Sequence, residues 1–369
     1  MRQMTRRQCI LAASRGEGPD LPPFFHYWRH SQIGAAEREC RNRGMGMCWT
    51  RPGHVERLHD VEVVERQVTW SGQTAWRRTY TTPVGEVWST ELREPGVGQW
   101  HGQRSWRDVT PWHVERLIKE PSDYAVVQYM VEHTEYAADS FPIEQAMDWL
   151  GDDGVVLCAL PHSPMQTLMI DWVGSEGGRF YYHLADHPDL VEGLFQALCK
   201  SREALHEIAA RSPAPIALCG DNMDDFLVSP RLFERYFMPV YAQQAQVLHE
   251  HGKLMAVHMD GRLNAIKELV GRTDIDIVEA LHPPPMGDLP LDEALRIWPG
   301  KSIWVGFPSA TYDDGPEATR QYARQLVRQA GDNGRVVIAA STENLVSDEN
   351  LLALAGVLGR GTEPTSSSA

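Results

Sequence analysis

The chain has no Cys-x-x-Cys pair, no long apolar run and no surplus of basic residues. Its six cysteines, Cys9, Cys40, Cys48, Cys158, Cys199 and Cys219, are scattered. In a large chain without a secretory signal, that spacing suits reduced thiols in the cytoplasm rather than a disulfide framework. The N-terminal segment from Met1 to Arg15 is basic, yet its apolar stretch Cys9–Ala13 is too short for the hydrophobic region of a signal peptide. No apolar run approaches the roughly 20 residues that span a bilayer, so no membrane segment is expected. Lys and Arg number 35 against 50 Asp and Glu, a formal net charge of -15. Neutralising phosphates takes a basic field, so nucleic acid is not an expected partner.

Apolar residues make up 42% of the 369 positions, enough to bury a large core. From Gly154 onward short apolar runs alternate with helical patterns. The runs are Val155–Leu160, Pro215–Cys219, Leu254–His258, Ile275–Ala280, Ser302–Val305 and Arg335–Ala340. The helical segments are Pro188–Ala210, Ser229 to about His251, Leu263–Leu269, Leu291–Ile297, Pro316–Ala330 and Asn350–Leu358. Ser229-Pro230 is a helix start, with Ser229 as N-cap and Pro230 at the first turn, and Gly252 is a natural stop. Strands that are apolar throughout are strands buried on both faces, and strand–helix alternation at this spacing makes a parallel sheet with right-handed crossovers. Pro23–Trp28 and a segment near Ala125–Met130 bring the count to eight strands. The expected fold is therefore α/β, a (β/α)8 TIM barrel, as one domain over residues 1–360 with a disordered tail at 361–369. Within it, residues 61–92 read as an inserted β-hairpin or meander. Val61–Trp70, Thr74–Thr81 and Glu86–Thr90 are rich in β-branched and aromatic residues, and turn signals at Ser71-Gly72 and Pro83–Gly85 separate them. The expected place of this insert is beside the barrel or over its mouth. Its Trp70, Trp76 and Trp88 either pack the insert down or line a substrate pocket.

In a barrel of this kind, chemistry collects where strands end. The run Leu254-Met-Ala-Val-His-Met-Asp-Gly261 is a buried strand that stops on His258 and Asp260, two residues apart and so on one side. Asp221 and Asn222 follow the Pro215 strand, Glu279 ends the Ile275 strand, and Glu343 follows the Arg335 strand. Each has a plain structural reading as well: a helix cap for Asp221 or Glu343, a turn former for Asp260, an arginine partner for Glu279, a core imidazole for His258. Barrel geometry would send all of them to one rim, where carboxylates around a histidine make either a metal site or an acid–base site. Asp221, Asp260 and Glu279 are the candidate catalytic groups. His258, Glu343 and Glu279 are the candidate metal ligands, and His26, Asn222 and the three tryptophans the candidate substrate contacts.

These segments together resemble the uroporphyrinogen decarboxylase superfamily over roughly residues 150–358. The matching stretches are Gly220-Asp-Asn-Met-Asp224, Ser229–Pro239, Gly252–Gly261, Glu279-Ala-Leu-His-Pro-Pro-Pro-Met-Gly-Asp288, Trp304–Pro308 and Thr342-Glu343-Asn344. The resemblance implies the same barrel and two chemistries, since a fold does not set function. The decarboxylase branch grips tetrapyrrole carboxylates with an Arg-Gln-Ala-Gly-Arg segment. Here Phe24-Phe-His-Tyr-Trp28 occupies the comparable strand. The other branch contains methyltransferases that work with corrinoid proteins and hold zinc with a histidine and two cysteines. His258 matches that histidine, Asp260 stands where the first cysteine would be, and Glu343 stands near the second. Oxygen ligands make zinc a harder Lewis acid than thiolates do. The resemblance thus implies zinc, a methoxylated or N-methylated small molecule as methyl donor, and a corrinoid carrier protein as acceptor. A homodimer is compatible with it. Cofactor-independent decarboxylation and a non-catalytic ligand or metal sensor are the alternatives.

Overall fold

A computed structural model describes residues 4–31, 33–93, 112–341 and 346–359. In chain order its strands are β1 (Phe24–Tyr27), β2 (Gly46–Pro52), β3 (His54–Leu58), β4 (Glu62–Trp70), β5 (Gln73–Thr82), β6 (Gly85–Leu92), β7 (Trp112–Glu115), β8 (Thr134–Ala138), β9 (Gly154–Leu160), β10 (Ile216–Cys219), β11 (Leu254–His258), β12 (Ile277–Leu281), β13 (Ser302–Gly306) and β14 (Val336–Ala339). Eight of them close into a barrel in the order β1-β14-β13-β12-β11-β10-β9-β2. Every pairing in it is parallel. This is the expected (β/α)8 architecture.

One of the eight strands differs from expectation. Ala125–Met130 lies inside the helix Asp123–Glu132, and the barrel strand is β2 instead. In that helix the buried residues are Tyr124, Val126, Val127, Met130 and Val131, which is three-and-four spacing. The adjacent valines imitate a strand only when period is ignored. The start of β2 is disguised in turn by Gly44-Met-Gly46, which reads as a turn.

The chain divides into two compact units. The first, built from the chain up to Gly53, Ser140–Pro161 and the chain from Ala209 on, contains the whole barrel. Its interior is fixed by two-residue alternation. Phe25 and Tyr27, Cys48, Val155 and Leu157, Ile216, Ala256, Ile277, Trp304, Val337 and Ala339 form one buried cluster. The helix Arg6–Ser14 adds Ile10 and Ala13 to that cluster. Ile10 sits where a side chain on Gly46, the first residue of β2, would project, so this helix stops the end of the barrel where the strands begin. The opposite end, where the strands finish, carries the polar residues. Around the barrel the N-cap of Pro230 is as expected, with Ser229 accepting from the Leu232 amide. Gly252, at φ +68, takes the left-handed turn after the helix that ends at Glu250.

The second unit, His54–Asp139 and His162–Ile208, holds an antiparallel sheet β4-β5-β6-β7 and a two-stranded sheet of β3 and β8. The expected meander is β4, β5 and β6, with β7 added as a fourth strand. Ala75 and Val87 are fully buried in this sheet, and Val126 of the helix Asp123–Glu132 packs beside Gly85. Among the described residues no helix is long and apolar enough to cross a membrane. All six cysteines are free thiols.

Candidate functional site

Continuing the interior alternation toward the strand ends gives the top layer of the barrel. Past Phe25 it reaches Tyr27, past Ala256 it reaches His258 and then Asp260, and past Ile277 it reaches Glu279. The pairing of β11 with β12 sets His258 beside Glu279, and the Met259 amide extends the ladder by donating to the Glu279 carbonyl. On β9, β10 and β13 the corresponding positions are Ala159, Leu218 and Gly306. On β2 and β14 they are Thr50 and Ser341, so the titratable groups of the layer come from β1, β11 and β12.

They form a continuous chain. Tyr27 donates its hydroxyl to Glu279 Oε1. Glu279 Oε2 lies 2.5 Å from His258 Nδ1, and His258 Nε2 lies 3.4 Å from Asp260 Oδ2. Glu279 is 1% exposed, and among the described residues Tyr27 and His258 stand in for water at its two oxygens. The consequence is a strongly basic imidazole. Burial works against a charged ring, but the Glu279 carboxylate and the hydrogen bonds to Asp260 and Glu279 outweigh it and push His258 up to about 10. Burial likewise favours a neutral Asp260, yet the bond to His258 and the charges of His258 and His282 hold it below the usual carboxylate range. Tyr27 is driven well above an ordinary phenol, first by burial and then by the Glu279 charge, so it stays a donor.

This arrangement bears on metal binding. A histidine that ligates through Nε2 commonly gives its Nδ1 proton to a carboxylate, which fixes the tautomer and strengthens the ligand. Glu279 stands in that position. Two donors on one tetrahedral zinc, each about 2.0–2.2 Å from the ion, lie about 3.3–3.5 Å apart. The separation of His258 Nε2 from Asp260 Oδ2 matches that and is long for a charge-assisted hydrogen bond. Among the described residues no group of three or more His, Cys, Asp and Glu side chains is arranged to hold a metal. Glu343, the expected further ligand, lies outside the described residues.

The other expected residues have the following surroundings. His26 points away from the interior because Tyr27 and Phe25 point into it. Its Nδ1–H donates to the Tyr27 carbonyl, and burial pulls the ring down to about 4. Asp221 is fully buried and accepts from the Tyr241 hydroxyl at 2.6 Å, on the helix Met238–Glu250. Asn222 is exposed. In the second unit, Trp76 lies under the Arg93 guanidinium at 4.7 Å. Trp88 lies under the Lys119 ammonium at 4.2 Å and donates to Glu115, and Trp70 ends β4 opposite Gln73.

Two residues of the polar cluster are additions to the expected set, Tyr27 and His282. A period-two frame anchored on Phe25 would have found Tyr27, but every residue of β1 is buried, so the strand offers no alternation to read. His282 is 1% exposed, and its Nδ1–H donates to the Asp260 carbonyl at 3.1 Å. Nothing in the sequence announces the irregularity of β12 that turns it inward.

No protein-family model and no curated protein matches the chain. Among solved structures it is similar to a methyltransferase from Methanosarcina mazei, with a TM-score of 0.55 at 13% identity, over 96% of this chain and 98% of that one. An endo-glycoceramidase II from Rhodococcus sp. aligns over 60% of this chain and 66% of its own, at 14% identity and a TM-score of 0.36, which is too distant to inform the reading. At 13% identity, the M. mazei likeness is one of fold.

Proposed function

We propose that the chain is a zinc-dependent methyltransferase that takes a methyl group from a methoxylated or N-methylated small molecule and delivers it to a corrinoid carried by a separate protein. The observation that carries this reading is the His258 imidazole, backed at Nδ1 by Glu279 and facing Asp260 across 3.4 Å at Nε2. The reading is supported by the sequence resemblance and by the shared fold of a methyltransferase over nearly the full length of both chains. His258 and Asp260 would hold the metal, with Glu343 as a further ligand. Bound there, zinc would supply Lewis acidity to the oxygen or nitrogen that loses the methyl group. Glu279 fixes the imidazole's orientation, and Tyr27 fixes Glu279. The acidic cluster suits a neutral or cationic methyl donor better than a polycarboxylate. The carrier would be another polypeptide working in the same reducing compartment.

The decarboxylase alternative calls for arginines in the barrel mouth. At the top-layer positions identified above, from β1, β9, β10, β11, β12 and β13, there is none. Arg262, which follows β11, is exposed, and Arg29, which follows β1, is exposed with its guanidinium 5.6 Å over the Tyr27 ring, a single arginine beside the site among the described residues.

Metal analysis of protein produced with ample zinc is the first test. We expect zinc in the wild type and its loss in His258→Ala and Glu343→Ala. Retention of full metal in both variants removes the ligand assignment. The second test mixes the protein with a cobalt(I) corrinoid carrier and a panel of aryl methyl ethers and N-methyl amines, following the corrinoid spectrum. A wild type that binds no zinc and methylates no carrier ends the proposal.

A further inference from the structure

Strand β12 is irregular next to the site. It pairs with β13 through Ile277↔Ser302 and Val278↔Ile303, then resumes at Leu281↔Val305. Two residues of β12, Glu279 and Ala280, therefore stand against Trp304 alone, which is a bulge of one residue. The extra residue is Ala280, held at φ +61, a left-handed conformation that an alanine adopts only at a cost. One inserted residue reverses the faces of everything after it. Without it, residue 282 would point to the helix layer. With it, His282 comes opposite Gly306, an interior position, and turns inward.

Two contacts hold the ring there. Its Nδ1–H donates to the Asp260 carbonyl at 3.1 Å. Its other edge fills the space over Gly306, where a Cβ would fall 2.5 Å from Nε2 and 2.9 Å from Cδ2. Gly306 is thus glycine because the imidazole occupies the room a side chain would need. The carbonyl that His282 grips belongs to the residue whose carboxylate faces His258 Nε2. Asp260 lies two residues beyond the end of β11, and its peptide link to Gly261 is held by His282 at the carbonyl and by the Met223 carbonyl at the Gly261 amide, so the ladder does not fix it on its own.

We infer that His282 is a positioning residue: by holding the Asp260 backbone from the bulged strand, it fixes the Asp260 carboxylate against His258, and Gly306 and Ala280 are there to admit it. This deepens the function proposed above and rests on it only where Asp260 is a metal ligand.

The experiment uses five variants, His282→Ala, His282→Asn, Gly306→Ala, the double variant His282→Asn/Gly306→Ala and, as a reference, Asp260→Asn, with two readouts. An asparagine amide can replace the Nδ1 donor while vacating the space over Gly306. The first readout is affinity for cobalt(II), used as a spectroscopic substitute for zinc. We expect a 10–100-fold loss in His282→Ala and Gly306→Ala, the range for removing an outer partner of a ligand. We expect His282→Asn to stay within about threefold of wild type, and the double variant to recover most of what Gly306→Ala loses. The second readout needs no metal. The His258 ring resonances of metal-free, histidine-labelled protein should move in His282→Ala in the direction set by Asp260→Asn, and stay in place in His282→Asn. If His282→Ala leaves the His258 resonances at wild-type positions, or if His282→Asn is as damaging as alanine in both readouts, the inference is overturned. A wild type that takes up no cobalt defeats the metal reading, and the resonance comparison then decides the positioning role alone. Should His282→Ala fail to fold, the contrast between Gly306→Ala and the double variant decides it.

Discussion

At the scale of single residues, the site depends on a buried carboxylate having enough donors. Glu279 has Tyr27 on one oxygen and His258 on the other. Replacing Tyr27 by phenylalanine keeps the ring in the barrel core but leaves Oε1 short of a proton in a place water does not reach. A buried acceptor that loses one partner costs about 1–3 kcal/mol, and more where it is charged. Tyr27→Phe should lower the urea-derived stability by that amount. A change under about 0.5 kcal/mol, the range of a neutral surface substitution, would mean the hydroxyl does not serve Glu279. The same logic applies to Asp221, whose partner is the Tyr241 hydroxyl. Tyr241→Phe should also destabilise by about 1–3 kcal/mol. If Asp221 serves the fold in this way, Tyr241→Phe leaves zinc content unchanged, and metal analysis of the purified variant checks that.

At the scale of elements, β12 is where local rule and global fold conflict. Ala280 pays the left-handed cost so that Glu279 and His282 can both face inward from one strand. Glycine removes the steric part of that cost and adds chain entropy to the unfolded state, two effects of similar size and opposite sign. Ala280→Gly should therefore be neutral to about 1 kcal/mol stabilising, whereas Ala280→Val, branched at Cβ, should destabilise by about 2 kcal/mol or more. Equal unfolding midpoints for the two variants would argue against the left-handed conformation. This element also marks the limit of what the sequence discloses. The strand ends His258, Asp260 and Glu279 are legible because an apolar run that stops on a polar group has few interpretations. The barrel is legible from the alternation of such runs with capped helices, as at Ser229-Pro230. Facing is not legible in β1, whose four residues are all buried, so that His26 and Tyr27 look equivalent. Nor is it legible in β12, where a bulge follows from pairing with β13 and not from any residue type. Ala125–Met130 shows a third obstacle, since adjacent valines suit a strand by composition while their burial follows a helix.

At the scale of the whole molecule, the buried histidines tie stability to pH. His26 in the barrel unit and His206 in the second unit are both pulled down to about 4, in each case chiefly by burial. An unfolded chain returns each ring to an ordinary value near 6.5. As pH falls below that value the unfolded state takes up protons that the folded state refuses, so stability decreases on acidification. Above about pH 7 both rings are neutral in either state and contribute no slope. Between pH 7.5 and 5 each shift removes about 2 kcal/mol, and the loss levels off only below about 4, where the folded rings protonate too. Replacing His26 by asparagine removes the titrating group whatever else it does to packing. The fall in urea midpoint between pH 7.5 and 5 should then shrink by about 2 kcal/mol relative to wild type, even if the variant is less stable at both values. Because the two histidines lie in different units, the variants also report whether the units unfold together. In a single cooperative transition, His26→Asn and His206→Asn flatten the same midpoint. In two transitions, each flattens its own. An unchanged pH slope in both variants would mean that neither imidazole is buried in its neutral form.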